Sequence, residues 1–73
     1  MQKWEYLTFR EHGGVVKHIN GQQASGFLAT LGFGNGTRPY EMLNKLGQDG
    51  WELIGLSSDT ANGLNYVFKR PLD

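Results

Sequence analysis

The chain has 73 residues, no cysteine, and seven basic and seven acidic residues, so its formal net charge is zero. This length suits one domain rather than two, and the absence of cysteine excludes disulfides and thiolate metal sites. The charge balance argues against general nucleic-acid binding, because basic residues that contact phosphate supply most of that affinity. No apolar run approaches the roughly 20 residues that span a bilayer. The opening residues, Met1 to Tyr6, lack the pattern of a signal peptide, so a cytoplasmic location without a membrane partner is expected.

The first predicted element is a β-hairpin over residues 3–19. In the segment Lys3 to Glu11, odd- and even-numbered residues point to opposite faces of a strand, and both faces carry large apolar side chains. The dipeptide Gly13-Gly14 is typical of a turn, since glycine reaches positive φ without a steric penalty. The apolar segment Val15 to Ile19 then predicts the second strand.

Residues 20–36 predict an irregular, glycine-rich insert. It begins with Asn20-Gly21, the strongest short turn signal of the chain. The apolar run Phe27 to Leu31 is open to two interpretations, a short third strand near 26–32 or a loop lying over the core. Because glycines surround this run, little helix is expected there.

One helix is predicted over residues 38–48. Thr37 is a suitable N-cap, Pro39 is tolerated in the first turn, and Gly50 suits the left-handed position after the helix. Strands are predicted over 51–57 and 64–70. The order ββαββ predicts a small two-layer α+β domain, with one helix packed on one face of an antiparallel sheet.

Self-association is expected because so short a chain, without disulfides, builds only a small core. A single helix covers part of one sheet face, and the residues left over predict an interface. The predicted interface residues are Trp4, Tyr6 and Val67, with Ile54 and Leu56 as further apolar candidates. We expect copies of the chain to associate through the sheet face or through an edge strand. The product would be a homodimer or a higher oligomer.

Three segments together resemble the small bacterial and phage domain-of-unknown-function family 4177. They are the opening Lys3-Trp4-Glu5-Tyr6, the centre Leu43 to Ile54 with its LGxxGWEL pattern, and the closing Tyr66 to Pro71 with its FKRP pattern. The resemblance implies a compact ββαββ-like domain and implies no activity. Residues 13–36 depart from the shorter versions of that family, so a function particular to this chain is expected in that stretch.

A candidate ligand site lies where the glycine-rich loop meets the predicted helix. Free N–H groups and the helix dipole favour anions at such a terminus, and an arginine forms bidentate pairs with phosphate. The alternative is a capped helix after a flexible connection that binds nothing. The predicted site residues are Phe33, Gly34, Gly36, Thr37, Arg38 and Tyr40.

No catalytic constellation, cofactor motif or metal site is found in the sequence. His12 and His18 lack a third ligand at metal spacing, so a structural role is the better interpretation. The favoured hypothesis is a non-enzymatic, homo-oligomeric module that holds or sequesters a small anionic ligand, such as a signalling nucleotide, by analogy with phage anti-defence proteins. The alternatives are a module that docks a host protein and a weak nucleic-acid binder.

Overall fold

A computed structural model of the chain describes residues 1–30, 32–33 and 36–72. It confirms the α+β class, with a five-stranded antiparallel sheet and one main helix packed on it. The sheet order is β3-β2-β1-β5-β4. The elements in chain order are β1 Lys3–His12, β2 Val15–Ile19, β3 Gln22–Gln23, α1 Ser25–Thr30, α2 Pro39–Gln48, β4 Glu52–Ser58 and β5 Leu64–Leu72.

The two faces of the sheet follow from the alternation along the long central strand β1. Leu7 and Phe9 are buried, and they pair across the sheet with Phe68 and Tyr66 of β5. We call this side the covered face. Tyr6 projects to the opposite side, the open face, where 60% of its surface is exposed. The alternation is regular because successive Cβ atoms of a strand point to opposite sides.

The core fills the space between the covered face and the two helices. The ring of Phe9 stacks on that of Tyr66, with 4.3 Å between the centroids, and on that of Phe68, with 5.6 Å. Met42 and Leu46, one turn apart on α2, are fully buried against this sheet surface. The buried apolar residues are Leu7, Phe9, Val16, Ile19, Ala24, Leu28, Met42, Leu46, Tyr66 and Phe68.

The segment 20–36 differs from the sequence prediction. A short helix, α1, occupies Ser25–Thr30, where a third strand or a loop was expected, and the added strand is the two-residue β3. Ala24 and Leu28 are both buried, and the amide of Leu28 donates to the carbonyl of Ala24 over 2.8 Å. Ala24 directly precedes α1 and Leu28 lies within it, both in the core, so burial outweighs the nearby glycines. Leu31 lies outside the described residues.

The start of α2 also differs from the prediction. The N-cap is Arg38, whose φ of −82° and ψ of 153° are extended, and not Thr37, which is buried. The reason is Pro39 at the first helical position, because a proline disfavours helical dihedral angles in the residue before it. The backbone N–H of Arg38 donates to the Glu41 carboxylate over 2.9 Å.

The end of α2 requires glycine. Gly50 has a φ of +90° directly after the C-cap Asp49. The amide of Trp51 donates to the carbonyl of Leu46, and that of Gly50 donates to Gly47, which is the Schellman arrangement.

We expect Gly50→Ala to lower the free energy of unfolding by about 1–2 kcal/mol, because an L-residue is strained in the left-handed region. Urea denaturation measures this change, with Gly26→Ala as the matched control. Gly26 lies inside α1 without a positive φ, and a Cβ there meets nothing within 4 Å. Equal stability of the Gly50 variant and the wild type would contradict the assignment.

Candidate functional site

The six residues predicted as a ligand site do not share one surface. Phe33 and Tyr40 line a hollow of about 350 Å³ on the outer side of α2, together with Glu41, Asn44, Lys45 and Gln48. Gly36 lines a different and larger pocket, and Thr37 is buried and lines neither. Gly34 lies outside the described residues. The structure therefore separates the aromatic members of the predicted site from its glycine.

The N-terminus of α2 already carries a protein anion. The carboxylate of Glu41 accepts the backbone N–H of Arg38, and the carbonyl of Arg38 accepts from the amides of Glu41 and Met42. The guanidinium of Arg38 reaches the β1–β2 turn, where Nη1 donates to the carbonyl of Gly14 over 3.3 Å. An external anion at this terminus would compete with the Glu41 carboxylate for the same dipole. Anion binding by this loop stays a prediction.

The larger pocket lies beside β2 and has a volume of about 600 Å³. We call it the β2-edge pocket. It combines an apolar part, formed by buried residues of β2 and α1, with a polar rim. Its lining residues are Arg10, His12, Val15, Val16, Lys17, His18, Gln23, Ala24, Ser25, Leu28 and Gly36.

The pocket exists because the outer edge of β2 is only partly paired. β3 pairs with His18 and Ile19 alone, while the amide of Val16 donates to the carbonyl of Thr37 over 2.9 Å. The register between β1 and β2 also shifts, since Arg10 pairs with His18 and Glu11 pairs with Val16. Lys17 is the extra residue of this β-bulge. Bulges commonly redirect side chains at the edge of a sheet, and the bulge at Lys17 forms part of the pocket wall.

The rim of the β2-edge pocket is basic. Arg10, Lys17, His12 and His18 contribute to it, and the described lining includes no aspartate or glutamate. The Nδ1 atom of His18 is buried and has no hydrogen-bond partner within the described residues. A buried polar atom without a partner is uncommon and is satisfied when water or a ligand supplies one. This combination of basic rim and apolar wall fits a ligand that carries both a negative charge and an apolar part.

One of the basic side chains is held by a carboxylate from outside the pocket. Nε of Arg10 donates to Asp59 Oδ2 over 2.7 Å, and Nη2 donates to Oδ1 over 3.3 Å. Asp59 also accepts the backbone N–H groups of Ala61 and Gly63, so it organises the β4–β5 turn as well. The guanidinium and these donors hold the pKa of the Asp59 carboxyl well below its usual range. Arg10 is therefore fixed in position before any ligand arrives.

The three predicted interface residues lie together on the open face. Trp4, Tyr6 and Val67 belong to the neighbouring strands β1 and β5. The face is not purely apolar, because Nζ of Lys69 lies 4.1 Å from the centroid of the Trp4 ring and partly covers it. Val67 is half-buried. The structure thus brings these residues onto one surface, and whether that surface binds a second chain stays a prediction.

Comparisons with protein-family models, with curated proteins and with solved structures return no match. The resemblance to the domain-of-unknown-function family stays a prediction. Among the described residues, no helix is long and apolar enough to cross a membrane. The same part of the chain contains no group of three or more histidine, aspartate or glutamate side chains that could hold a metal ion.

Proposed function

We propose that this chain is a small binding module that holds an anionic ligand in the β2-edge pocket without turning it over. The observation that carries the proposal is a pocket of about 600 Å³ whose described lining is basic and contains no carboxylate. This volume lies within the roughly 300–1,000 Å³ typical of small-molecule sites.

The residue types favour a phosphorylated or carboxylated ligand. Lys17 is exposed and supplies a point charge, whereas Arg10 supplies a planar guanidinium already oriented by Asp59. The imidazoles of His12 and His18 can form hydrogen bonds and offer a flat ring. The apolar wall suits a planar group. A nucleotide combines these properties, and holding it tightly would sequester it.

The proposed ligand site lies at the edge of β2 and not at the start of α2. The Glu41 carboxylate already occupies the helix terminus, whereas the basic residues lie at the pocket rim. Of the predicted site residues that the structure describes, Gly36 alone also lines the pocket. The ligand class is the same as the one that the sequence suggests.

We expect pyrophosphate and AMP to bind the wild type in isothermal titration calorimetry, and Lys17→Ala to weaken both about tenfold or more, since a charge-assisted hydrogen bond contributes about 1.5–3 kcal/mol. Binding should also weaken as salt rises, because the attraction is between charges. Lys45→Ala is the matched control. Lys45 lies on α2 beside Asp49, away from the pocket lining.

The outcomes separate the two candidate sites. Loss of binding in Lys17→Ala with binding retained in Arg38→Ala supports the β2-edge pocket. The opposite pattern would return the site to the glycine-rich loop. If neither probe produces heat or a thermal shift at millimolar concentration, the proposed function is wrong.

A further inference from the structure

One long strand of the described sheet has an unpaired outer edge. β4, Glu52–Ser58, lies at one end of the strand order and pairs only with β5. The opposite end of the sheet is the two-residue β3, and the rest of the β2 edge is partly occupied by the backbone of Thr37. A long edge strand presents a row of N–H and C=O groups that another strand can pair with.

Apart from one bulge, the stretch from Leu53 to Ser58 lacks the features that usually prevent such pairing. From Leu53 to Ser58 there is no charged residue and no proline. Leu53, Ile54 and Leu56 are exposed over 44%, 48% and 58% of their surfaces. A bulge at Ile54 interrupts one end of the strand, and the remaining residues are regularly paired with β5. Natural proteins commonly protect edges with lysine or proline, so an unprotected apolar edge indicates an interface.

The bulge fixes how the side chains are distributed over the two faces. Leu53 pairs with Phe68 and Leu56 pairs with Tyr66, so both leucines lie on the covered face. Gly55 and Ser57 lie on the open face, opposite Val67 and Asn65. Although the leucines are on the helix side of the sheet, their exposure shows that the helices do not cover them.

We propose that β4 pairs antiparallel with β4 of a second copy of this chain. A two-fold axis perpendicular to the sheet keeps the covered faces of both copies on the same side. A register centred on Leu56 then places Leu56 against the partner's Leu56 and Gly55 against the partner's Ser57. In each pair both side chains lie on the same face of the joined sheet. A register shifted by one residue would instead place side chains of the covered face opposite those of the open face.

Charge favours this occupant over a different protein. The charged residue of β4 is Glu52 at its start, and none follows from Leu53 to Ser58, so the middle of the edge offers no charged group to a partner selected by charge. In this register Leu56 meets the partner's Leu56, and no charged residue lies within the paired stretch from Ile54 to Ser58. The formal net charge of zero also removes any overall repulsion between copies. An isologous contact of this kind closes at two chains, since it uses the same edge of both.

The test is sedimentation equilibrium from micromolar to millimolar protein. We expect the wild type to approach twice the 8.2 kDa mass of the chain. Leu56→Glu should raise the dissociation constant about tenfold or more, because it places two carboxylates against each other in an apolar contact. Tyr6→Glu is the matched control, since Tyr6 is equally exposed but lies on the open face.

Hydrogen exchange gives a second readout that does not depend on the variants. Amides of residues 54–58 should exchange more slowly as the wild-type concentration rises, while those of 3–5 should not change. A wild type that stays monomeric over the whole range would overturn the proposal and leave the edge to another protein. Dissociation caused by Tyr6→Glu but not by Leu56→Glu would assign the interface to the open face instead. Neither result depends on whether the β2-edge pocket binds a ligand.

Discussion

Phe9→Ala is expected to lower the free energy of unfolding by about 3–5 kcal/mol, the typical cost of removing a buried aromatic ring. Phe9 is only 1% exposed and is stacked on both Tyr66 and Phe68. Its loss removes the ring contacts and leaves a cavity that the paired strands β1 and β5 cannot close. Because a single small core supplies about 3–5 kcal/mol in all, we expect the variant to be largely unfolded at 25 °C.

Circular dichroism and urea denaturation measure this effect. Phe27→Ala is the matched control, since Phe27 lies at the surface of α1 with 36% of its area exposed. Its free energy of unfolding should change by about 1 kcal/mol or less. A Phe9 variant with a cooperative transition at the wild-type urea midpoint would show that the aromatic stack does not hold the sheet to the helices.

Asp59→Asn is expected to lower the free energy of unfolding at neutral pH, and this loss should become smaller in acid. The carboxylate binds Arg10 and accepts N–H groups from Ala61 and Gly63, and Nδ2 of Asn65 donates to it over 3.2 Å. An amide oxygen keeps part of this acceptor capacity but loses the charge. The geometry also needs Gly63, because a Cβ at that position would overlap the Arg10 guanidinium.

The pH dependence follows from the lowered pKa of Asp59 in the folded state. A carboxyl group whose pKa falls on folding contributes stability that is complete above its unfolded pKa, about 3.9, and is lost as the pH falls toward the folded value. The gap between wild type and Asp59→Asn should therefore be constant from about pH 5 to 7 and should narrow below about pH 4.

Thermal unfolding across this pH range checks the result, with Asp49→Asn as the control. Asp49 is exposed at the end of α2 and pairs with Lys45 over 3.4 Å, so its replacement should have little effect at any pH. A gap for Asp59→Asn that widens on acidification would contradict the role of the charged carboxylate.

Local patterns along the sequence determined most of the secondary structure. Alternation in β1 separates Leu7 and Phe9 from Trp4 and Tyr6, and this separation holds in the sheet. Gly50 ends the main helix for a reason visible in the sequence, because few other residues adopt the required φ. Such features depend on neighbours within one or two turns or on one strand.

Where nearby residues compete, the sequence pattern was less decisive. Thr37 has the better capping side chain, yet Pro39 sets the start of α2 at Arg38. The glycines around α1 argue against a helix, but burial of Ala24 and Leu28 against the sheet stabilises it. In the first case the proline restriction outweighed side-chain capping, and in the second burial outweighed the low helix propensity of glycine. The residue types alone did not show which effect is larger.

By itself, the sequence determined the α+β class, the faces of β1 and the end of the main helix, because each depends on periodicity or on one residue's allowed dihedral angles. Only the tertiary structure decided the β2-edge pocket and the exposed β4 edge. Arg10, Lys17 and His18 line one pocket where a bulge shifts the register of β2, and a second bulge at Ile54 sets which face Leu56 occupies. A register shift is fixed by pairing between distant segments, so spacing along one strand does not reveal it.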